Sequence, residues 1–378
     1  MSSIIEVKVE KWCDEGYSIG YHKEKVCFVR NAIPGELVNA TIDKENSKII
    51  FCTAVQIKKA SNLRIDSDCK YYPICGGCDF RHINYPDEIN VKIDLFKETL
   101  KRQLSGYDSK LKIVFHKSPS GNNYRNSITL KKDGTGKFGY YSKNSNSFVQ
   151  IDSCLLADKY INKKLASGVI NDLKVRSADS FSAGHFYKSI KTPNKTLSFR
   201  LSSDSFFQVN DLITDQWIGS ILSIISQCKP KTVTDLYSGV GVISIAIAGA
   251  SSIEKITAIE SGKGAVKNAK VNAEKNEVSN KIDFICGKAE DISEMFKYSD
   301  LYIVNPPREG LNNKVTRKIL DIKPGFILYS SCKYQTMIRD LNLLSKDYIP
   351  IRIELFDMFP RTSHVESLVL LQHKKGDI

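Results

Sequence analysis

The chain contains 378 residues, with 55 Lys and Arg against 42 Asp and Glu, a net charge of +13 and a hydrophobic content of 42%. These values exclude a wholly disordered chain and predict two or three domains with sizeable cores. The longest apolar run, residues 242–250, is about half as long as a membrane-spanning helix, and residues 1–11 lack the apolar centre of a secretory signal. We therefore expect a cytoplasmic protein that does not insert into membranes.

The first 60 residues have the pattern of an all-β domain. Runs rich in β-branched side chains, separated by short turn sequences, lie at residues 5–9, 25–29, 36–42 and 49–57. Four or five short strands in so few residues predict a small closed barrel of the oligonucleotide-binding type.

A compact cysteine motif follows, Cys69-x5-Cys75-Gly-Gly-Cys78, with Cys154 further along the chain. Disulfides are not expected in an intracellular protein, so clustered thiols indicate metal or redox chemistry. Four thiolates suit structural zinc or a 4Fe–4S cluster, but zinc ribbons usually arrange two close pairs, whereas this chain has a triplet and a distant single cysteine. We therefore predict that Cys69, Cys75, Cys78 and Cys154 bind a 4Fe–4S cluster.

The middle of the chain predicts a small α+β domain with a basic surface. Apolar residues at helical spacing predict a helix over residues 87–104, and residues 124–130 and 138–141 alternate as in an antiparallel sheet. Residues 101–200 carry 19 Lys and Arg, six Asp and no Glu, while the rest of the chain is balanced at 36 basic and 36 acidic side chains. Such a segment is typical of nucleic-acid binding, although a lysine-rich surface can also serve solubility.

From about residue 202 the pattern becomes that of an α/β domain. A helix is predicted over residues 211–228, and several later stretches between the strands are helical. The predicted strands are residues 232–236, 255–259, 281–285, 301–304, 326–330, 349–356 and 367–371. This alternation predicts a mostly parallel sheet with helices on both faces.

A cofactor loop is predicted where the first of these strands ends, at Asp235-Leu-Tyr-Ser-Gly239-Val-Gly241. Glycines there let the backbone approach a ligand, and Glu260, at the end of the next strand, suits the hydroxyls of a ribose. The combination resembles class I S-adenosylmethionine (SAM) methyltransferases, whereas the Gly-x-Gly-x-x-Gly spacing of NAD sites is absent. Asn305-Pro-Pro-Arg308 ends a further strand at the same predicted crevice.

Cys332 and Glu366 suit methylation at C5 of a pyrimidine. Cys332 follows a predicted strand, and Glu366 precedes the last one. A thiolate that adds to C6 makes C5 nucleophilic, and a base must then remove the C5 proton before the thiolate leaves. Taken singly, the two residues are more typical of a buried structural cysteine and a surface glutamate, and only their combination favours catalysis. His364 is an alternative base.

Taken together, these motifs resemble the RNA uracil-5-methyltransferases, in particular the iron–sulfur 23S ribosomal RNA branch, over nearly the whole chain. Residues 16–57 look like the TRAM barrel, an RNA-binding module, and the four cysteines match the cluster ligands. The segment Phe206-Phe-Gln208-Val-Asn210 matches the cofactor-contacting segment of the family, which implies that Gln208 binds SAM, as do Tyr237 and Glu260. Ser330-Ser-Cys332 matches the nucleophile motif, and His364-Val-Glu366 the general base.

The resemblance implies a SAM-dependent enzyme that makes 5-methyluridine in RNA, most simply in 23S ribosomal RNA, with tRNA as the other candidate. The domains expected are a TRAM barrel (1–60), a central iron–sulfur domain (61–200) and a class I methyltransferase domain (201–378). The catalytic residues expected are Cys332 and Glu366, and the cofactor-binding residues expected are Gln208, Asp235, Tyr237, Gly239, Gly241, Glu260 and Asn305. No obligate protein partner is inferred.

One residue departs from the family pattern, because Asn305 replaces the usual Asp of Asp-Pro-Pro-Arg. The amide can still accept a hydrogen bond from uracil N3–H or contact the cofactor, but it brings no charge. Two alternatives follow. One is a catalytically impaired RNA-binding or assembly factor of the same fold, and the other is an amine-directed RNA methyltransferase, in which Asn-Pro-Pro grips an exocyclic amine.

Overall fold

The computed structural model describes residues 3–143, 145–168, 170, 173–182, 184–203 and 205–375. The chain forms two compact units. The first unit comprises Met1–Glu98, Ser120–Ser177 and Phe359–His364, and the second comprises Thr99–Pro119, Ala178–Met358 and Val365–Ile378. The basic segment 101–200 is therefore shared between the two units, and the outer ends of the predicted domains, residues 1 and 378, lie outside the described residues.

The first unit begins with a closed five-stranded barrel, which confirms the predicted barrel. Its strands, in the order β1-β2-β3-β5-β4, are β1 (Ile4–Trp12), β2 (Ser18–His22), β3 (Lys25–Arg30), β4 (Leu37–Glu45) and β5 (Ile49–Lys59). Alternate residues of β1, β3, β4 and β5 point inward and form one buried cluster, which includes Val7, Val29, Val38 and Ile50. Only β2 was missing from the sequence prediction, because this short strand carries Gly20, whose missing side chain lets β1 pass close by.

The middle of the chain contains short elements. They are α1 (Tyr85–Gln103), β6 (Ile113–His116), β7 (Ser127–Thr129), β8 (Lys131–Lys132), β9 (Phe138–Tyr141), β10 (Phe148–Gln150), α2 (Lys159–Ser167), β11 (Lys174–Arg176), β12 (Ser180–Ser182), β13 (His185–Lys191) and β14 (Thr196–Leu201). In the first unit, β10-β9-β8 and β11-β7 form small antiparallel sheets, as the alternating segments predict. Their apolar side chains pack on α2 around Ile128, Leu130 and Ile161.

The second unit contains an eight-stranded sheet in the order β17-β16-β15-β18-β19-β21-β20-β6. The remaining elements are α3 (Asp211–Cys228), β15 (Thr232–Leu236), α4 (Val242–Ala248), β16 (Lys255–Glu260), α5 (Lys263–Lys275), β17 (Ile282–Cys286), β18 (Leu301–Val304), α6 (Asn313–Ile322), β19 (Phe326–Ser331), α7 (Tyr334–Leu344), β20 (Tyr348–Phe356) and β21 (Glu366–His373). The central strands β17, β16, β15, β18 and β19 are parallel, whereas β21 runs antiparallel to both of its neighbours. This arrangement confirms the predicted class I α/β fold.

The parallel strands bring the predicted cofactor and catalytic residues to one edge of this sheet. Because parallel strands end on the same side, the residues at or just beyond the ends of β15, β16, β18 and β19 share that edge. These residues are Tyr237, Glu260, Asn305 and Cys332. No helix in the described part of the chain is long and apolar enough to cross a membrane.

Candidate active site

The loop between β15 and α4 has the backbone shape of a ligand-binding turn. Tyr237, Gly239 and Gly241 all have positive φ angles, of 63°, 57° and 85°. A side chain at Gly239 would meet nothing within 4 Å, so open space lies above this part of the loop. At Gly241, in contrast, a Cβ would press on Ile245 and other apolar neighbours, so that glycine also serves packing. The loop therefore leaves room for a ligand at Gly239.

Asp235 and Ser238 leave unsatisfied polar atoms in this loop. Asp235 is fully buried, and its Oδ2 accepts a hydrogen bond of 2.5 Å from Ser244 Oγ. Its Oδ1 and the Ser238 hydroxyl have no hydrogen-bond partner among the described residues. Burial raises the pKa of Asp235 to about 7, against the opposing hydrogen bonds from Ser244. Since buried polar atoms normally find partners, the loop fits a polar ligand such as SAM.

Glu260 is engaged by the backbone around it. Its Oε2 accepts from Gly239 N at 3.0 Å, and its Oε1 accepts from Gly262 N at 2.7 Å. The carboxylate therefore ties the two loops at the ends of β15 and β16 together. Ser261 Oγ also donates to Oε1, at 3.1 Å, so Oε2 is the oxygen that keeps a lone pair for a ribose hydroxyl.

The segment before α3 is held by a ladder of asparagines that the sequence analysis did not identify. Asn268 and Asn272 on α5 and Asn276, which caps its end, follow one another at four-residue spacing and are buried. Asn272 Oδ1 accepts from Arg200 N of β14 at 2.7 Å, and its Nδ2 donates to Val240 O of the cofactor loop at 3.1 Å. The four-residue period was the available signal, because it places all three amides on one helix face.

This ladder connects the Gln208 segment to the cofactor loop. Asn268 Nδ2 donates to Ser202 Oγ at 2.6 Å and to Ser205 Oγ at 3.2 Å, three residues before Gln208. Gln208 itself is buried, and Asn210 caps α3 by accepting from Leu212 N. The asparagines therefore brace both the Gln208 segment and the glycine loop.

The Asn305-Pro-Pro-Arg308 loop follows β18 beside the cofactor loop. Asn305 N donates to Leu236 O at 3.4 Å. The loop is fixed from α7, where Thr336 Oγ1 donates to Arg308 O at 3.0 Å and fully buried Asp340 accepts from Leu311 N at 2.7 Å. These contacts hold the backbone of Arg308 in place while its side chain stays exposed.

Cys332 lies one residue beyond the end of β19 and is half-buried. Burial raises the pKa of its thiol, and the Glu366 carboxylate raises it further. The positive charge of the nearby Arg308 guanidinium lowers the pKa of the thiol. Cys332 therefore has both a neighbouring carboxylate and a cation able to stabilise its thiolate. Arg308 was not identified as a site residue from the sequence.

Glu366 is the first residue of β21 and is only 3% exposed. Ser330 Oγ donates to its Oε1 at 2.6 Å, across the antiparallel pairing of β19 with β21. Burial raises the pKa of Glu366 to about 7, and the hydrogen bond from Ser330 opposes this shift. The carboxyl group is thus poised to exchange a proton near neutral pH.

His364, the alternative base, belongs to the first unit, whereas Cys332 and Glu366 both belong to the second. The short segment around it is fixed within the first unit. Asp79 Oδ2 accepts from Ser363 N at 2.8 Å, and Glu88 Oε1 accepts from Arg361 N at 2.7 Å. Of the two candidate bases, Glu366 is the one whose charge acts on Cys332.

The four predicted cluster ligands lie in the first unit. Cys75 N donates to Tyr71 O, and Gly76 N donates to Tyr141 O, so the motif turns tightly against β9. The charges of Cys69 and Cys154 both act on Cys75, which puts these thiols in one neighbourhood. Burial raises the pKa of Cys75, and it raises that of Cys78 to about 12, while Arg81 Nε donates to Cys78 Sγ at 3.3 Å.

The structure does not support the predicted iron–sulfur site. Within the described residues, no group of three or more His, Cys, Asp or Glu side chains is arranged to hold a metal ion. Spacing along the chain indicated the number of thiols and not the distances between them, which depend on how the loops pack.

Two family models match the chain. The model described as tRNA (uracil-5-)-methyltransferase matches residues 180–374, and the TRAM domain model matches residues 2–55. An uncharacterised RNA methyltransferase from Leptospira interrogans is 31% identical, with 98% of this chain and 95% of the relative aligned. One from Mycoplasma mobile is 30% identical, with 98% of both chains aligned.

A solved structure shares the fold. It is a Pyrococcus abyssi tRNA (uracil-54, C5)-methyltransferase in complex with S-adenosyl-L-homocysteine, with a TM-score of 0.70 and 22% identity. The superposition covers 97% of this chain and all of that one.

Proposed function

The chain belongs to the TRAM-containing RNA uracil-5-methyltransferases, which use SAM, and from this premise we propose that it methylates C5 of a uridine through a transient bond between Cys332 and the base. The observation that carries this proposal is the register of β19 with β21, which pairs Ser331 with Ser367 and so brings Cys332 next to Glu366 in one unit. The charges of Glu366 and Arg308 both act on the thiol. A nucleophile and a base are the groups that this reaction requires, and the cation favours the thiolate form of the nucleophile.

The Cys332 thiolate adds to C6 of uracil, and the electron pair of the C5–C6 double bond moves toward C5 and the C4 carbonyl. Arg308 favours the thiolate that starts this step, against the burial that disfavours it. Bound SAM supplies the methyl group that C5 takes. Glu366 then removes the C5 proton, the double bond re-forms and the thiolate leaves. With a pKa of about 7, Glu366 can accept this proton and release it to solvent.

The residues proposed to hold SAM are those of the β15 and β16 ends. Asp235, Tyr237, Gly239 and Gly241 form the loop, and Glu260 takes the ribose hydroxyls. Gln208 and Asn305 complete the set. The support is the open space at Gly239 and the unpartnered atoms of Asp235 and Ser238. The target uridine must leave its stack to reach Cys332, because C6 is inaccessible inside a helix.

The proposed target is 23S ribosomal RNA, on the strength of the cysteine motif that this chain shares with that branch of the family. Residues 1–60 and 61–200 are proposed to hold the RNA, while residues 201–378 carry out methyl transfer. The excess of 19 basic over six acidic side chains in residues 101–200 supports this division. We therefore also propose that the protein acts in the cytoplasm.

The four thiols Cys69, Cys75, Cys78 and Cys154 are proposed to bind a 4Fe–4S cluster with a structural role, since methyl transfer consumes no electron. The cysteine spacing supports the proposal, whereas the thiols influence one another but are not arranged to hold a metal ion within the described residues. Protein purified without oxygen should contain about four iron atoms per chain and absorb near 400 nm. A Cys78→Ser variant should lose both signals, and iron-free wild-type protein with full activity would refute the proposal.

The experiment that tests the function compares RNA from cells with and without this gene, and purified enzyme acting on ribosomal RNA and tRNA. Nucleoside mass spectrometry should find 5-methyluridine formed in ribosomal RNA in the presence of SAM. If 5-methyluridine forms in tRNA and not in ribosomal RNA, the target is tRNA and the proposed target is wrong. An N-methylated nucleoside in place of 5-methyluridine would overturn the proposed reaction.

A further inference from the structure

The barrel has an unusual outer surface on three of its five strands. On β3 and β5, the inward residues, such as Val29 and Ile50, are fully buried, as in any barrel. The alternate residues point outward, and on β2, β3 and β5 they are mostly apolar or aromatic. We call this surface the aromatic strip, and its members are Ile19, Tyr21, Val26, Phe28, Ile49 and Phe51.

The other strands of the barrel serve as an internal comparison. The outward residues of β1 include Glu6, Lys8 and Glu10, and those of β4 include Asn39 and Thr41. The outward positions of a barrel are usually polar, because they contact water. The apolar character of the strip is therefore a property of one side of the barrel and not of the barrel as a whole.

The rings of the strip are arranged as a stack. The strand register pairs Phe28 with Phe51, and their rings lie nearly parallel, 5.1 Å apart between centroids with an angle of 17°. Tyr17 closes one end of the pair, in edge contact with both rings. Towards the other end, Tyr21 pairs with Val26 and is 51% exposed. The strip thus presents partly exposed aromatic surface in line with an exposed tyrosine.

Lysines border the strip on both sides. The register places Lys44 opposite Phe51 and Lys8 opposite Tyr21. Both ammonium groups are exposed and form no ion pair with another described residue, unlike Lys25, which pairs with Glu45 at 2.6 Å. Aromatic rings between unpaired lysines complement a chain that carries flat bases and phosphates.

We propose that the aromatic strip binds a single-stranded segment of the substrate RNA, whose bases stack on Tyr21, Phe28 and Phe51 while Lys8 and Lys44 contact phosphates. This inference rests on the proposed function, in which RNA is the substrate. It adds the surface of the protein that binds a single-stranded part of that RNA. Three neighbouring strands span about 10 Å, enough for about three stacked nucleotides. Stacking tolerates any base, so the strip contributes affinity and orientation and not sequence selection.

The test uses the full-length protein and a labelled single-stranded RNA of about 12 nucleotides, within the site sizes of such barrels. A triple variant, Tyr21→Ala with Phe28→Leu and Phe51→Leu, removes the rings and keeps the apolar volume of the stacked pair. It should bind this RNA about 10- to 100-fold more weakly. The control Ile4→Ala removes another exposed apolar side chain, on the outer face of β1, and should bind like the wild type.

The salt dependence separates stacking from charge. The triple variant should keep the wild-type slope of log affinity against log salt concentration. Lys44→Gln should reduce the magnitude of that slope by about 0.9, the value expected for one lost phosphate contact. Tyr21→Phe, which keeps a ring, should retain nearly full affinity. Circular dichroism should show that all these variants are folded.

Turnover distinguishes failure of this inference from failure of the proposed function. The triple variant should raise the KM for long RNA about 10-fold or more, while kcat and SAM affinity stay at wild-type values. If the wild type methylates RNA and a folded triple variant binds and methylates RNA equally well, the proposed role of the aromatic strip is wrong and the proposed function stands. If the wild type is a dimer and the triple variant a monomer, the strip contacts a second copy of the chain, and the proposed binding of RNA to the strip is wrong. Absence of any methylation by the wild type overturns the proposed function.

Discussion

The chain places thiols in two contrasting environments. Cys332 of the second unit is one thiol with an arginine and a glutamate acting on it, whereas Cys75 and Cys78 of the first unit are influenced by other thiols. Burial raises the pKa in all three cases. At Cys332, the Arg308 cation offsets part of that cost, which makes a single reactive thiolate attainable. Where several thiols lie close together, the negative charge of one thiolate raises the pKa of its neighbours. Several thiolates can therefore exist together only when a bound cation neutralises their charge.

The largest expected effect comes from removing the single reactive thiol. Cys332→Ala should lower turnover about 10⁴-fold or more, because C5 does not become nucleophilic without a bond from the thiolate to C6. Methylation of RNA with radiolabelled SAM measures this loss. The matched control is Cys228→Ala, which removes a half-buried thiol at the end of α3 in the same unit and should leave turnover unchanged. Equal activities of the two variants would remove Cys332 from the mechanism.

Replacing the base should separate adduct formation from release. Glu366→Gln should slow turnover about 10²- to 10⁴-fold and accumulate the Cys332–RNA adduct, because the C5 proton then has no acceptor. In the wild type, turnover should fall as the pH falls through about 7, where Glu366 becomes protonated. Gel electrophoresis under denaturing conditions detects the adduct. A variant with normal turnover and no adduct would contradict the assignment.

The same substitution should stabilise the protein at high pH. Burial raises the pKa of Glu366 from the ordinary 4.5 to about 7, so ionisation costs stability progressively between these values. Glu366→Gln should therefore match the wild type below pH 4.5 and exceed it above pH 7 by about 3 kcal/mol. Thermal unfolding of both proteins at pH 4.5 and pH 8 measures the difference. A gain that is the same at both pH values would contradict the electrostatic cause.

The smallest expected effect concerns the reactivity of Cys332 without substrate. Arg308→Ala should slow its alkylation by iodoacetamide at neutral pH about 3- to 10-fold, because the thiolate loses its cation. Glu366→Gln should change the rate in the opposite direction, because a repelling charge is gone. Peptide mass spectrometry follows the modification of Cys332. Changes of the same sign in both variants would refute the electrostatic description of this thiol.

The sequence predicts best those helices and strands for which the local residue pattern and the tertiary packing favour the same secondary structure. Residues 232–236 and 301–304 are short buried runs, and they are strands with those bounds, as α3 is a helix over residues 211–228. The edge strand β6 and the small sheet β12-β13-β14 escaped prediction, because short strands gain their stability from distant partners. Local sequence holds little information about such pairings.

The candidate site divides in the same way. The position of Glu260, Asn305 and Cys332 at one edge of the sheet was predictable, because the ends of parallel strands lie on the same side. Ser330 and Arg308 were not, because their contacts depend on the register of β19 against β21 and on how α7 fixes the loop after β18. The arrangement of the four thiols also depends on loop packing, which spacing does not encode.

The most direct test of the central claim uses RNA that carries 5-fluorouridine at the target position, incubated with the enzyme and SAM. Fluorine at C5 cannot leave as a proton, so the reaction should stop with the RNA bound to the protein. The account predicts a complex that survives denaturation and yields, after digestion, a nucleotide on the peptide that contains Cys332. No such complex, or one attached to another residue, would contradict it.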